Sequence, residues 1–130
     1  MSSEYDKEEI YMEGKDFLYS PVNKYNFTKL KNFHIEFISS KNDTYKMMNN
    51  LSILYEKAKN LECLELVNVK IRNIPEGIEN LTNLKELYLS QNKLVLSKEI
   101  KNLKNLTTLS LVFKYNKSIT KRNRRFNKFN

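Results

Sequence analysis

The apolar positions of residues 61–71, LECLELVNVKI, and of residues 84–94, LKELYLSQNKL, fall on one skeleton 23 residues apart, apolar at the first, fourth, sixth and eleventh places. Leu64 and Leu66, like Leu87 and Leu89, alternate with a polar or neutral neighbour, so both side chains of each pair leave the same face of a short strand. A strand this short cannot bury that face alone. Stacking equivalent strands produces a parallel sheet along one wall and a continuous leucine core behind it. The limb that returns from the first strand, IRNIPEGIENL, sends Ile71, Ile74, Ile78 and Leu81 back into that core. Pro75 fixes φ and removes a donor, which suits an extended or single-turn limb better than a long helix. Asn92 holds the ninth place of its unit, where its amide is expected to bond the backbone groups left open as the strand turns away.

Two full units, residues 61–83 and 84–105, carry this frame, and two partial ones flank them. Upstream, Leu30, Phe33 and Ile35 open a unit spanning 30–60; downstream, Leu106, Leu109 and Leu111 open one spanning 106–113. A single amphipathic helix does not account for the pattern, because Leu61, Leu64 and Leu66 do not keep a 3.6-residue period. The frame resembles the leucine-rich repeat family, in its short class of about 23 residues with Leu/Ile-Pro in the convex limb. That resemblance implies an α/β fold: a short right-handed horseshoe segment of a solenoid, with parallel strands on its concave face. Val69 and Lys114 stand where the ninth-place asparagine belongs, and Ser97-Lys98 where Ile-Pro belongs. Those turns are expected to be looser.

The ends depart from the frame. The segment DTYKMMNNLSILYEKAKNL places Tyr45, Met48, Leu51, Leu54, Tyr55 and Ala58 at helical spacing, with Asp43 or Thr44 as N-cap. A helical convex limb of this length explains the 31-residue step from Leu30 to Leu61. Residues 1–29 are expected to form an N-terminal cap region, partly helical or disordered, with a short helix over 4–19 that turns Ile10, Phe17 and Leu18 inward. The repeat domain is then 30–113, and 114–130 is a basic tail with seven basic residues and no acid.

Composition changes this picture little. The chain of 130 residues carries 23 basic and 15 acidic residues, a net charge of +8, but 19 lysines and 18 asparagines are what AT-rich coding would supply unselected. Two glycines and two prolines argue against a barrel or sandwich rich in tight turns. Cys63 is the only cysteine, so no intrachain disulfide forms, and it is expected to be a half-buried structural thiol. No apolar run approaches the ~18 residues of a membrane span, and the acidic N-terminus MSSEYDKEEIYMEG has no apolar leader core. A cytoplasmic setting is expected.

Catalytic motifs are missing: no nucleophile elbow, P-loop, zinc-protease helix or glycine-rich dinucleotide turn occurs. His34, the only histidine, falls on the exposed strand face, where a surface role outweighs that of a general base. The expectation is a non-enzymatic chain with no cofactor and no metal. Its first functional reading is a protein-binding module whose concave wall presents His34, Glu65, Val67, Tyr88, Ser90, Ser110, Val112 and Phe113, with Tyr88 as an exposed anchor. Three columns run along that wall: His34, Glu65, Tyr88 and Ser110; Glu36, Val67, Ser90 and Val112; and Phe37, Asn68, Gln91 and Phe113. The second reading is weak, non-specific contact with nucleic acid or another anionic surface through Lys121, Arg122, Arg124, Arg125 and Lys128. Phe126 and Phe129 interleave with those cations. A third is a truncated piece of a longer repeat protein. Partner identity and oligomeric state are not written in the sequence.

Overall fold

The computed structural model describes residues 6–95 and 98–111. Its organising element is a five-stranded, all-parallel sheet in which the strands follow chain order. The strands are β1 (Glu9–Glu13), β2 (Asn32–Glu36), β3 (Cys63–Val67), β4 (Glu86–Tyr88) and β5 (Thr108–Ser110). One pairing register runs across the sheet, from Ile10 to Phe33, Leu64, Leu87 and Leu109. All five are buried, and they form the floor of the core. Chain order and parallel pairing together require a crossover after each strand. The crossovers here are a short helix α1 (Gly14–Leu18), a longer helix α2 (Thr44–Lys57) and single 3-10 turns at Val22–Lys24, Lys41–Asp43, Ile78–Asn80 and Lys98–Asn102.

The first strand is a correction. Residues 9–13, expected within a helix over 4–19, are extended and pair with β2, and helix is confined to Gly14–Leu18. Alternation in EIYME turns Ile10 and Met12 towards the core and Tyr11 outwards. Pairing with a neighbouring strand outweighs the helical preference of the acidic residues around it. Ile10, Phe17 and Leu18 do face inward, as expected. The step from Glu9 to Asn32 is again 23 residues, so the strand spacing of the central units already governs the N-terminus.

The limbs close the core as the pattern predicts. Ile71, Ile74, Ile78, Leu81, Ile100 and Leu103 are all buried. Helix α2 fills the 31-residue step from Asn32 to Cys63. Its inward face is largely the expected one: Leu51, Leu54, Tyr55 and Ala58 are buried and Met48 packs against the core, but Met47 is buried at the first turn and Tyr45 is exposed. Buried Asn50 on α2 donates to the carbonyls of Phe17 and Leu18, satisfying the end of α1 from the neighbouring limb.

Backbone and amide bonds repeat with the strands. The carbonyl just before each of the first four strands accepts two successive N–H groups from the next unit: Glu8 from Lys31 and Asn32, Lys31 from Glu62 and Cys63, Glu62 from Lys85 and Glu86, Lys85 from Thr107 and Thr108. One step earlier stands an asparagine ladder. Asn60 donates to Thr28 O at 2.7 Å, Asn83 to Lys59 O at 3.0 Å and Asn105 to Thr82 O at 2.7 Å. These asparagines are structural, not compositional background. At the other end of β2, β3 and β4 the chain leaves through left-handed backbone at Phe37 (φ 68), Asn68 (φ 50) and Gln91 (φ 60). In the first unit the equivalent residue is Gly14, whose N–H donates to Phe37 O and whose missing Cβ leaves room for the Phe37 carbonyl and Ile38.

Asn92 behaves as its position predicts. Its amide donates to Leu66 O at 2.8 Å and to Leu89 and Ser90 O, and its Oδ1 accepts from Val69 N at 3.0 Å. The Val69 turn, expected to be loose for want of its own asparagine, is therefore held by the asparagine of the next unit. Lys114 and Ser97 lie outside the described residues.

Candidate functional site

The face of the sheet opposite the core is built from the odd places of β1 and their register partners. One column runs Tyr11, His34, Glu65, Tyr88, Ser110; beside it run Glu9, Asn32, Cys63, Glu86, Thr108 and Glu13, Glu36, Val67. The sequence-derived column from His34 to Ser110 is thus one continuous row, extended by Tyr11. The five strands place five glutamates on this face (Glu9, Glu13, Glu36, Glu65 and Glu86) and contain no lysine or arginine. Lys15 approaches its margin, 3.6 Å from Glu13.

His34 is the hub. Its ring stacks on Tyr11 with centroids 4.1 Å apart and planes 13° from parallel. Nδ1 lies 3.0 Å from Glu65 Oε1 and Nε2 lies 2.9 Å from Glu36 Oε1. Tyr11 O–H donates to the same Glu36 oxygen at 3.0 Å. Two carboxylates facing both ring nitrogens call for two N–H donors, which only the imidazolium has. Burial pulls the His34 pKa down, but hydrogen bonds and charge attraction from Glu65 and Glu36 outweigh it, and the net shift is upward. Glu36 moves the other way: the hydrogen bonds from His34 and then Tyr11 hold its carboxyl below its ordinary value.

These shifts set a pH dependence. A raised histidine pKa contributes stability that is complete below 6.5 and is lost as pH rises through the folded value. A lowered carboxyl pKa contributes stability that is complete above 4.5 and is lost as pH falls through the folded value. Wild-type protein should therefore exceed His34→Gln most between those two pH values, with the margin shrinking on the alkaline side. Urea melts of both proteins at several pH values check this. A margin that does not vary with pH would mean that His34 stays neutral.

The C-terminal half of the face differs from expectation. Tyr88, expected as an exposed anchor, is only 4% exposed. Its hydroxyl donates to Glu86 two residues back on the same strand, so the ring lies along the sheet instead of standing from it. Burial, with Glu86 beside it, holds its phenol above the ordinary value. Glu65, Val67, Ser90 and Ser110 are also buried, and so is Cys63, where a half-buried thiol was expected. None of these offers a partner much surface. Val112, Phe113 and the tail residues Lys121, Arg122, Arg124, Arg125 and Lys128 lie outside the described residues.

What stands open is the other half: Tyr11 at 68% exposure, Phe37 at 51%, and the partly exposed Glu36 and His34. Tyr11 also lines a groove of about 680 Å³ beside β1, shared with Tyr19 and Tyr25. Because β1 is the edge of the sheet, no described strand covers its outer side. Sequence reasoning missed Tyr11 and Glu13, although Ile10-x-Met12 stands 23 residues before Phe33-x-Ile35 and repeats its alternation. Lack of leucine hid the signal. Among the described residues no group of three or more His, Cys, Asp or Glu side chains is placed to hold a metal ion. No described helix is long and apolar enough to cross a membrane. No known protein family and no curated protein matches the chain.

Proposed function

We propose that the chain is a short leucine-rich repeat domain, a cytoplasmic and non-catalytic module that binds a protein through the N-terminal half of its concave sheet face. The solenoid reading is supported by the recurring strand steps, the asparagine ladder and the left-handed exits at equivalent places. The observation that carries the binding site is the acidic, aromatic surface around Tyr11, Glu13, His34, Glu36 and Phe37. The strands bring carboxylates and no lysine or arginine to this face, although Lys15 pairs with Glu13 at its margin and His34 with Glu36. A partner segment bearing lysine or arginine would compete for those carboxylates, and the exposed rings suit its aliphatic stems and cation–π contact.

Whole-molecule charge does not forbid this. Seven of the eight net positive charges sit in residues 114–130, leaving residues 1–113 near neutral. At physiological salt the Debye length is about 8 Å, so the local carboxylates dominate the field at the face. Tyr11→Ala should weaken capture of lysine- and arginine-containing peptides by about 2 kcal/mol, the scale of an interface aromatic, with little change in melting. Lys101→Ala, an exposed change on a limb, should leave capture intact. The reverse pattern, with Lys101 essential and Tyr11 dispensable, would assign binding to the convex side.

The concentration of charge in residues 114–130 favours a second reading, weak contact with nucleic acid or another anionic surface. Deleting residues 117–130 distinguishes the two: binding to an oligonucleotide should be lost while peptide capture by the sheet face stays.

A further inference from the structure

A second cavity, of about 560 Å³, opens at the far end of the strands and is unrelated to the acidic face. Its walls carry three cations, Lys70, Arg72 and Lys93, and no acid. The repeat itself creates the crowding. The register that sets Cys63 beside Glu86 makes Lys70 and Lys93 equivalent positions of adjacent units, as it does Asn68 and Gln91. Lys70 and Lys93 lie beyond the paired residues of their strands, yet both line this one cavity. Like charges gathered in one cavity repel, and none of the three cations has an ion pair among the described residues. An anion in the cavity removes the repulsion.

The walls are also tied in place. Thr44 O–H donates to Lys70 O, joining the first turn of α2 to the loop. Val95 N–H donates to Arg72 O at 2.9 Å. Asn92 fixes Val69 and Leu66 behind them. Asn68 and Gln91, whose amides can donate to an anion, also line the cavity, and so does Thr44 at the first turn of α2. Arginine and lysine together suit phosphoryl oxygens, the first by its planar fork and the second as a point charge.

We infer that this cavity binds a small anion bearing a polyphosphate group. Three positive charges match an anion of at least two negative charges, and the volume admits a phosphate chain. The site is independent of the partner-binding face.

Calorimetric titration of the full chain with inorganic tripolyphosphate tests the assignment. Saturable binding at one site per chain is expected. Arg72→Gln and Lys93→Gln, both at exposed positions, should each weaken it about tenfold or more, as loss of a charge-assisted contact does. The triple change Arg122→Gln, Arg124→Gln and Arg125→Gln, in the basic tail, should alter it less than about twofold by the same scale. Unchanged thermal melts would show that the Arg72 and Lys93 variants remain folded. Absence of saturable binding overturns the assignment. So does affinity that follows the tail arginines and ignores Arg72 and Lys93.

Discussion

Leu87→Ala should cost the domain about 2–5 kcal/mol, the range for a large-to-small change at a fully buried site. Leu87 is 0% exposed and sits between Leu64 and Leu109 in the row that runs through every strand. Truncation there removes a contact to both neighbours, and strand spacing fixed by backbone bonds leaves the cavity little chance to collapse. Lys85→Ala, two residues away, is the contrast. Its ammonium lies 3.7 Å from Glu62 in an exposed pair, worth about 0–1 kcal/mol. Glu86 is a poorer control than its polarity suggests, because it accepts the Tyr88 hydroxyl. Urea midpoints of the two variants separate the cases. Equal, small losses would mean that Leu87 does not face the core.

The second large effect belongs to a polar residue. Asn92→Ala should cost about 2–4 kcal/mol, since each buried backbone group left without a partner costs about 1–3 kcal/mol. The groups are Val69 N–H and Leu66 C=O, both in the preceding unit. No water-filled space replaces them cheaply, because Val69 and Leu66 are fully buried. Asn92→Asp is the sharper probe. It keeps the acceptor for Val69 and abolishes the donor to Leu66, so it should recover only part of the loss. Recovery to wild-type stability would show that the Leu66 carbonyl contact carries no weight.

Both predictions rest on a frame legible in the residues alone. Leu64, Leu66, Leu87 and Leu89 announce inward-facing strand positions because alternation and a fixed interval are properties of sequence. The return-limb isoleucines and Asn92 follow from the same register. Three features were not legible, each for a physical reason. β1 carries Ile10 and Met12 in place of leucines and lies among acids that suit a helix start, so local preference pointed away from a strand that only pairing with β2 stabilises. Tyr88 lies on the predicted face, yet its exposure depends on whether the ring stands up or lies back towards Glu86, and strand alternation does not encode a rotamer. Asn60, Asn83 and Asn105 are hidden among 18 asparagines; only the backbone carbonyls they meet distinguish them.

The candidate site was therefore half legible. The row from His34 to Ser110 was placed correctly, but its accessible end lies at Tyr11, in a strand the pattern did not reveal. His34 illustrates the gain from geometry. As a lone histidine it suggested little chemistry; between Glu36, Glu65 and Tyr11 it becomes the titratable centre of that face. Protonation there changes the net charge that a basic partner meets, so binding and stability should respond to pH in linked fashion.

The central claim is that the N-terminal half of the sheet face is the partner-binding surface. The most direct test is a nuclear magnetic resonance titration of isotope-labelled full-length protein with a lysine- and arginine-rich peptide at physiological salt. The account predicts saturable shifts centred on Tyr11, Glu13, His34, Glu36 and Phe37, weakened by Tyr11→Ala. Shifts confined to the limbs around Glu79 and Lys101, with that face unperturbed, would contradict it.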